Sequence, residues 1–296
     1  MLKDGGGGGV LNSSKARQLI GVALAFAGGI GLAWVPARTA PVAAGPNESQ
    51  KNFRLRLRTR VEPFKASGRW EEVYFEKNLD TRETAIVICD MWDKHWCRGA
   101  TGRVEVLARK MAPFLEQARA RGIQIIHAPS ETMDFYKDYP QRRRILELPR
   151  AEPPPSLGLP APTLPIDDSD GGCDTPDDKP SKAWIRENAS IPIPESDVIS
   201  DSGSEIFSLL QQRGIKNLFF MGVHTNMCIL NRTFAIKQMT NWGIACVLVR
   251  DLTDTMYDPQ DRPYVPHDQG TALVVEYIEK YWCPTVLSEE ILTALK

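Results

Sequence analysis

The sequence is poor in the features that mark several functional classes. It has no excess of charge: 36 Lys and Arg stand against 37 Asp and Glu, a formal net charge of −1. That balance removes the electrostatic reason to expect nucleic acid as a partner. The six cysteines include no C-x-x-C pair, so neither a zinc knuckle nor a thioredoxin-type site is expected. No internal repeat is present. The acidic stretch 167–178 lacks the spacing and terminal Glu of an EF-hand, and it reads as a solvated loop rather than a calcium site.

What is present suits one large α/β domain or two small ones: 296 residues, 42% of them hydrophobic. Residues 1–45 stand apart. Lys15 and Arg17 precede an uncharged segment, 18–37, centred on LIGVALAFAGGIGLAWV, and small residues follow at Val42-Ala43-Ala44. This is the pattern of a secretory signal peptide. The segment approaches the ~20 residues that span a bilayer, so an uncleaved membrane tether is the competing reading; its many small residues favour cleavage. Either way the body of the protein, 46–296, is expected to be secreted or periplasmic. An oxidising compartment permits disulfides; Cys97 and Cys173, both in loop-like sequence, could pair, although sequence alone does not fix connectivity.

Residues 46–76 are polar and alternate with period two, including Phe53-Arg-Leu-Arg-Leu-Arg-Thr-Arg-Val61, and predict a strand or hairpin at one edge of the fold, a β extension over 46–83. Arg54, Arg56, Arg58 and Arg60 are read as one solvated strand face. From Thr84 the pattern changes. Short apolar runs at 84–90, 122–128, 217–223, 244–250 and 284–288, with a shorter one at 197–200, alternate with amphipathic stretches at 103–121, 204–213, 226–242 and 268–281. Continuous apolar strands are those buried on both faces, and the helices between them cover a mostly parallel sheet. The expected fold is therefore α/β, a three-layer doubly wound sheet. Residues 151–182 interrupt it with eight prolines; they predict a long loop over one end of the sheet.

In such sheets ligands bind beyond the carboxyl ends of the strands. Asp90 follows the first apolar run, His127 and Ser130 the second, and Gly222-Val-His-Thr-Asn-Met-Cys228 the run 217–223. Cys228 thereby falls at a strand-to-helix turn, where a helix macrodipole and unpaired N–H groups would lower its thiol pKa. Asp90 would stand beside it if the two strands are neighbours, as a base for the thiol and an acid for a leaving group. Cys89 and Cys246, inside apolar runs, read as structural.

The two turns, "AIVICDMWD" and "FFMGVHTNMC", resemble the isochorismatase-like cysteine hydrolases, a family that includes nicotinamidases and N-carbamoylsarcosine amidohydrolases. The likeness covers roughly 84–292, and Ser204–Ile215 is similar to the family's crossover helix. The resemblance implies Asp90 as the proton-handling acid, Cys228 as nucleophile, a cis peptide between Val223 and His224, and an oxyanion hole from the backbone N–H groups of His224 and Cys228. It also implies self-association. The family's catalytic lysine has no match. Alignment on the serine puts Arg186 in that slot, alignment on the crossover helix puts Glu195 or Ser200 there, and Lys94 and Lys182 are further sources of charge. Trp92 replaces the family's Gln, and Lys94-His95-Trp96 replaces an Asp-Phe. His127-Ala-Pro-Ser130 lies where nicotinamidases carry a metal motif, and the spacing of Asp93, His95 and His127 fits no ligand signature. No cofactor and no catalytic metal are expected. Trp92, Trp96 and Phe135 line an apolar pocket or simply pack.

The leading functional expectation is hydrolysis of a small amide C–N bond, or an ester, through a Cys228 thioester, with a small molecule as the substrate. A non-covalent isochorismatase-type hydrolase and a secreted non-catalytic binding protein on the same scaffold are the alternatives.

Overall fold

The computed structural model describes residues 52–296; the expected signal segment, 1–45, lies outside them. The alternating segment forms a hairpin, β1 (Asn52–Val61) and β2 (Glu71–Asp80), paired antiparallel in register from Asn52↔Asp80 to Val61↔Glu71. There follow β3 (Thr84–Cys89), α1 (Arg98–Ala120), β4 (Gln124–Ala128), α2 (Met133–Tyr136) and α3 (Pro140–Leu146). After the proline-rich loop come β5 (Val198–Ile199), α4 (Gly203–Arg213), β6 (Asn217–Val223), α5 (Cys228–Asn231) and α6 (Ile236–Asn241). The chain ends with β7 (Ala245–Asp254), α7 (His267–Tyr281), β8 (Thr285–Val286) and α8 (Ser288–Ala294).

The eight strands form one sheet in the order β2-β1-β8-β7-β6-β3-β4-β5. From β8 to β5 every pairing is parallel. Counted from β3, the parallel strands have the doubly wound order 3-2-1-4-5-6, and the direction of winding reverses between β3 and β6, where such sheets open a crevice. The strands are buried on both faces, so alternate residues feed two cores. Ala85, Val87 and Cys89 join α4, α5, α6 and α7 on one side. Ile86 and Ile88 join α1, α8 and β1 on the other. The expected three layers are therefore present, with the hairpin extending the sheet past β8.

Several local expectations are corrected. The stretch 226–242 is not one helix. It breaks at Arg232, whose backbone turns extended (φ −62°, ψ 156°), and 232–235 folds against the start of α4, where Gly203 N–H donates to Thr233 Oγ1 at 3.0 Å. A Cβ on Gly203 would lie 1.9 Å from the Thr233 carbonyl oxygen, so only glycine permits this contact. Helix α1 starts at Arg98 rather than Arg103. Its glycines, Gly99 and Gly102, are poor helix formers, but the inserted loop caps its first turn: Arg98 N–H donates to Asp178 Oδ2 (2.7 Å) and Gly99 N–H to Thr175 Oγ1 (2.9 Å). Of the four arginines of β1, Arg54 and Arg56 are exposed, but Arg58 and Arg60 are half-buried and clamp the buried Glu279 carboxylate at 2.7 and 3.2 Å. They are not a solvated face.

Candidate active site

Residues 167–178 of the inserted loop lie over the carboxyl end of the sheet, while 151–162 run along the helices of one face, against Ser208, Asn241 and Tyr277. Asp174 pairs with Arg103 of α1 (2.5 Å), Asp168 accepts from Asn226 (2.7 Å) in the Cys228 turn, and Cys173 is disulfide-bonded to Cys97, which precedes α1. That pairing, left open by the sequence, fastens the loop across 76 residues of chain. Gly172 (φ 65°) fits against the Met256 carbonyl, where a Cβ would approach to 2.4 Å.

Beneath it, β3 and β6 deliver their turns side by side. Cys89 pairs with Gly222, and a Cβ on Gly222 would sit 2.0 Å from the Cys89 oxygen. Glycine at that position is what lets the two turns meet. Asp90 adopts a left-handed backbone (φ 48°) and is fully buried. Its Oδ1 accepts from Ser130 N–H at 2.7 Å and its Oδ2 from Arg232 Nε at 2.9 Å. The Cys228 residue is partly exposed, and its thiol lies near enough to the same carboxylate to feel its charge. The Val223–His224 peptide is cis.

The cation beside Asp90 is Arg232. Arg186 is exposed on the surface, with its guanidinium 5.9 Å from the Phe135 ring, and Lys182 Nζ donates to the Glu131 carbonyl at 2.9 Å. Sequence reasoning missed Arg232 because the lysine was sought before the crossover helix, where the family keeps it. No spacing signal marked it: Arg232 stands just past α5 in extended backbone (ψ 156°), so helical periodicity from Cys228 does not place it.

The protonation states differ from expectation. Burial, then the negative charge of Asp90, pushes the Cys228 thiol well above its ordinary range, against the opposing pull of Arg232. Helix α5 is a single turn of four residues, too short for a macrodipole to prevail. Burial likewise raises Asp90, and Arg232 opposes it. The resting pair is thus a neutral thiol against an arginine-held carboxylate. Arginine does not deprotonate in proteins, so Arg232 stays charged whether or not Asp90 carries a proton. Replacing Arg232 by alanine leaves a buried carboxylate unpaired and should lower kcat/KM by about 100-fold, with Lys partly restoring it; Arg186→Ala should stay within about twofold of wild type, as is usual for surface substitutions. Steady-state kinetics on the three variants checks this.

Aromatic rings wall the pair. Trp92, whose Nε1 donates to the Ser130 carbonyl at 3.0 Å, carries the Arg232 guanidinium 5.9 Å from its ring centre. Trp184 stacks on Trp92 at 4.3 Å and on His95 at 5.7 Å. Phe135 is not part of this wall; it packs with Tyr136 and Tyr139 and is 41% exposed. Burial lowers His95 to about 4 and His224 to about 3, so both are neutral near pH 7. His95 Nδ1 accepts from Cys97 N–H, which leaves its proton on Nε2. His127 is elsewhere. It is buried between Glu187 (2.7 Å) and Asp197 (2.9 Å), not beside Asp93 or His95. Among the described residues, the one three-residue cluster with metal-ligand geometry is Cys97, Cys173 and Asp178, and two of those sulfurs are spent in the disulfide.

Neither a protein-family model nor a curated protein matches the sequence. Solved structures similar to the chain include a cysteine hydrolase from Pseudomonas syringae pv. phaseolicola (16% identity, 73% of this chain and 94% of that one, TM-score 0.47). An isochorismatase family protein from Burkholderia thailandensis is similar over 72% of this chain and 96% of its own, at 14% identity and TM-score 0.42. An isochorismatase-like hydrolase from Alkaliphilus metalliredigens matches over 73% and 98% respectively, at 14% identity and TM-score 0.42.

Proposed function

We propose that this protein is a cysteine hydrolase that cleaves a small amide, or an ester, through a thioester on Cys228. One observation carries the reading: a thiol stands beside a buried, arginine-paired carboxylate whose charge acts on it, at the point where the sheet reverses its winding. As sulfur attacks the substrate carbonyl, the thiol proton passes to Asp90. Negative charge moves from the carboxylate to the carbonyl oxygen, where the N–H groups of His224 and Cys228 receive it. Asp90 then returns the proton to the departing nitrogen or oxygen, and the C–N or C–O bond breaks. Water hydrolyses the thioester with Asp90 as base. Arg232 stays charged throughout and keeps the carboxylate ionised between cycles. Acid quenching during turnover, followed by intact-mass spectrometry, should reveal one acyl group on Cys228 and none on the Cys228→Ala protein. Full activity in Cys228→Ala would leave only a non-covalent reaction.

The proposal extends to location. The Cys97–Cys173 bridge supports an oxidising compartment, in keeping with the signal-like segment 18–37. Alkylation and mass mapping of the native protein should find those two cysteines blocked. Replacing either by serine should cost about 2–4 kcal/mol in denaturant unfolding. Recovery of the protein from the cytoplasm with both thiols free would refute this placement.

A further inference from the structure

The inserted loop reaches the Cys228 turn at Asn226, a buried side chain (1% exposed) whose amide is fully engaged. Asn226 Oδ1 accepts from Met256 N–H at 2.9 Å. Its Nδ2 donates to the Met256 carbonyl at 3.0 Å and to Asp168 Oδ2 at 2.7 Å. A side-chain amide has two N–H donors, and both are used here. The Met256 bonds tie the turn to the chain just past β7. The Asp168 bond ties it to the loop, and hydrogen bonds to carboxylates are the stronger kind.

A second tie runs beside the first. Asp174 of the loop and Asp254 at the end of β7 both accept from Arg103, at 2.5 and 2.9 Å, and the Asp254 carbonyl accepts from Thr225 N–H at 2.8 Å. The Cys97–Cys173 bridge completes the contact. Cys97 and Cys173 share one apolar cluster with Met256 and with Met227, the residue before Cys228. The loop segment 167–178 therefore bears on Thr225, Asn226 and Met227. These are the three residues that separate His224 from Cys228, the two whose backbone N–H groups are assigned to the substrate oxyanion. Their conformation sets where those two N–H groups point, and such donors are effective only when already aimed at the developing charge.

Resting on the hydrolase reading above, we propose that Asp168 is a positioning residue: its carboxylate, held over the turn by the Cys97–Cys173 bridge, clamps the Asn226 amide and so aims the N–H groups of His224 and Cys228 at the substrate oxygen. Asp168 acts only through Asn226. The clamp depends on the bridge. When a dithiol reduces the S–S bond to two thiols, itself closing to a cyclic disulfide, the loop loses its covalent anchor and Asp168 its hold on the turn.

The test uses 4-nitrophenyl acetate as the substrate probe, with kcat counted per alkylatable Cys228 and Tm recorded for each protein. Asp168→Ala should lower kcat about tenfold and leave KM within about twofold, the pattern of a contact felt mainly in the transition state. Asp168→Asn keeps an oxygen to accept from Asn226 and should recover most of the loss. Adding Asp168→Ala to Asn226→Ala should cost nothing more, because the pair is already broken. Wild-type kcat per site in Asp168→Ala, with only Tm lowered, would make Asp168 a stability residue and overturn the proposal, as would additive losses in the double variant. The two Asp168 variants decide the matter even where Asn226→Ala does not fold. Dithiothreitol should lower wild-type kcat to a similar degree, reversibly on reoxidation; full activity with both bridge cysteines reduced would overturn the dependence on the bridge. Equal ester turnover by wild type and Cys228→Ala would remove the hydrolase reading and leave the clamp testable through iodoacetamide alone. Burial holds the Cys228 thiol un-ionised, so the loosened turn of Asp168→Ala should alkylate at Cys228 about threefold faster. An unchanged rate would overturn the clamp.

Discussion

Replacing Asp90 by asparagine should separate thiol reactivity from catalysis, moving the two in opposite directions. The negative charge of Asp90 is one cause of the raised Cys228 pKa, second only to burial, while Arg232 pulls the other way. In the Asp90→Asn protein the repulsion is gone and Arg232 is left to favour a thiolate. Alkylation of Cys228 by iodoacetamide should therefore become faster at pH 7, and its pH midpoint should fall. Hydrolysis should fall by about 10⁴-fold in kcat/KM, the upper range for general acid–base catalysis, because an amide carries neither proton from the attack nor proton to the leaving group. A wild-type alkylation rate in the variant would mean that the carboxylate does not act on the sulfur. Unchanged hydrolysis would remove Asp90 from the mechanism.

The second large effect is on stability. His127 is fully buried with Glu187 on Nδ1 and Asp197 on Nε2, and Arg119 closes the cluster at 2.8 Å from the same Asp197 oxygen. Burial alone would lower the His127 pKa. The two carboxylates prevail and raise it to about 9, so the imidazole is charged at neutral pH. A folded pKa above the unfolded value stabilises the fold below the unfolded value of ~6.5 and loses that contribution as pH rises through about 9. Burial also raises Glu187, a shift of the same sign. The wild-type Tm should thus decline between about pH 7 and 10. His127→Phe removes the cation and leaves two carboxylates enclosed, a change of about 3–5 kcal/mol by analogy with other broken buried pairs. Its Tm should be lower at pH 7 and nearly level across the same alkaline range. Equal alkaline slopes in the two proteins would show that the imidazole is not the titrating group.

Much of this could be read from the chain. The parallel sheet followed from apolar runs that only two-sided burial explains, and β6 keeps the boundaries its sequence suggests. The proximity of Asp90 and Cys228 followed from where those runs end, once β3 and β6 proved to be neighbours. The cation was not legible, since Arg232 reaches Asp90 only after the chain leaves α5 and turns against α4, a contact set by residues thirty positions away in sequence. The thiol's protonation was misjudged for a related reason. A helix start suggests a positive field, but the length of α5 and the enclosure of the sulfur are tertiary facts. Glu187 shows the same limit. It stands next to the arginine assigned by alignment, yet its side chain points inward to His127 while Arg186 faces solvent.

The strand order has one more consequence. The outermost strands of the described sheet are β2 and β5, and neither offers a good template for an incoming strand. Strand β2 carries Glu71, Glu72, Glu76, Lys77 and Asp80, so a flush neighbour would meet a row of ionised groups. At the other margin β5 offers two residues, with Pro192 and Pro194 just ahead of it. Edge-to-edge growth by strand pairing is disfavoured at both rims of the described sheet.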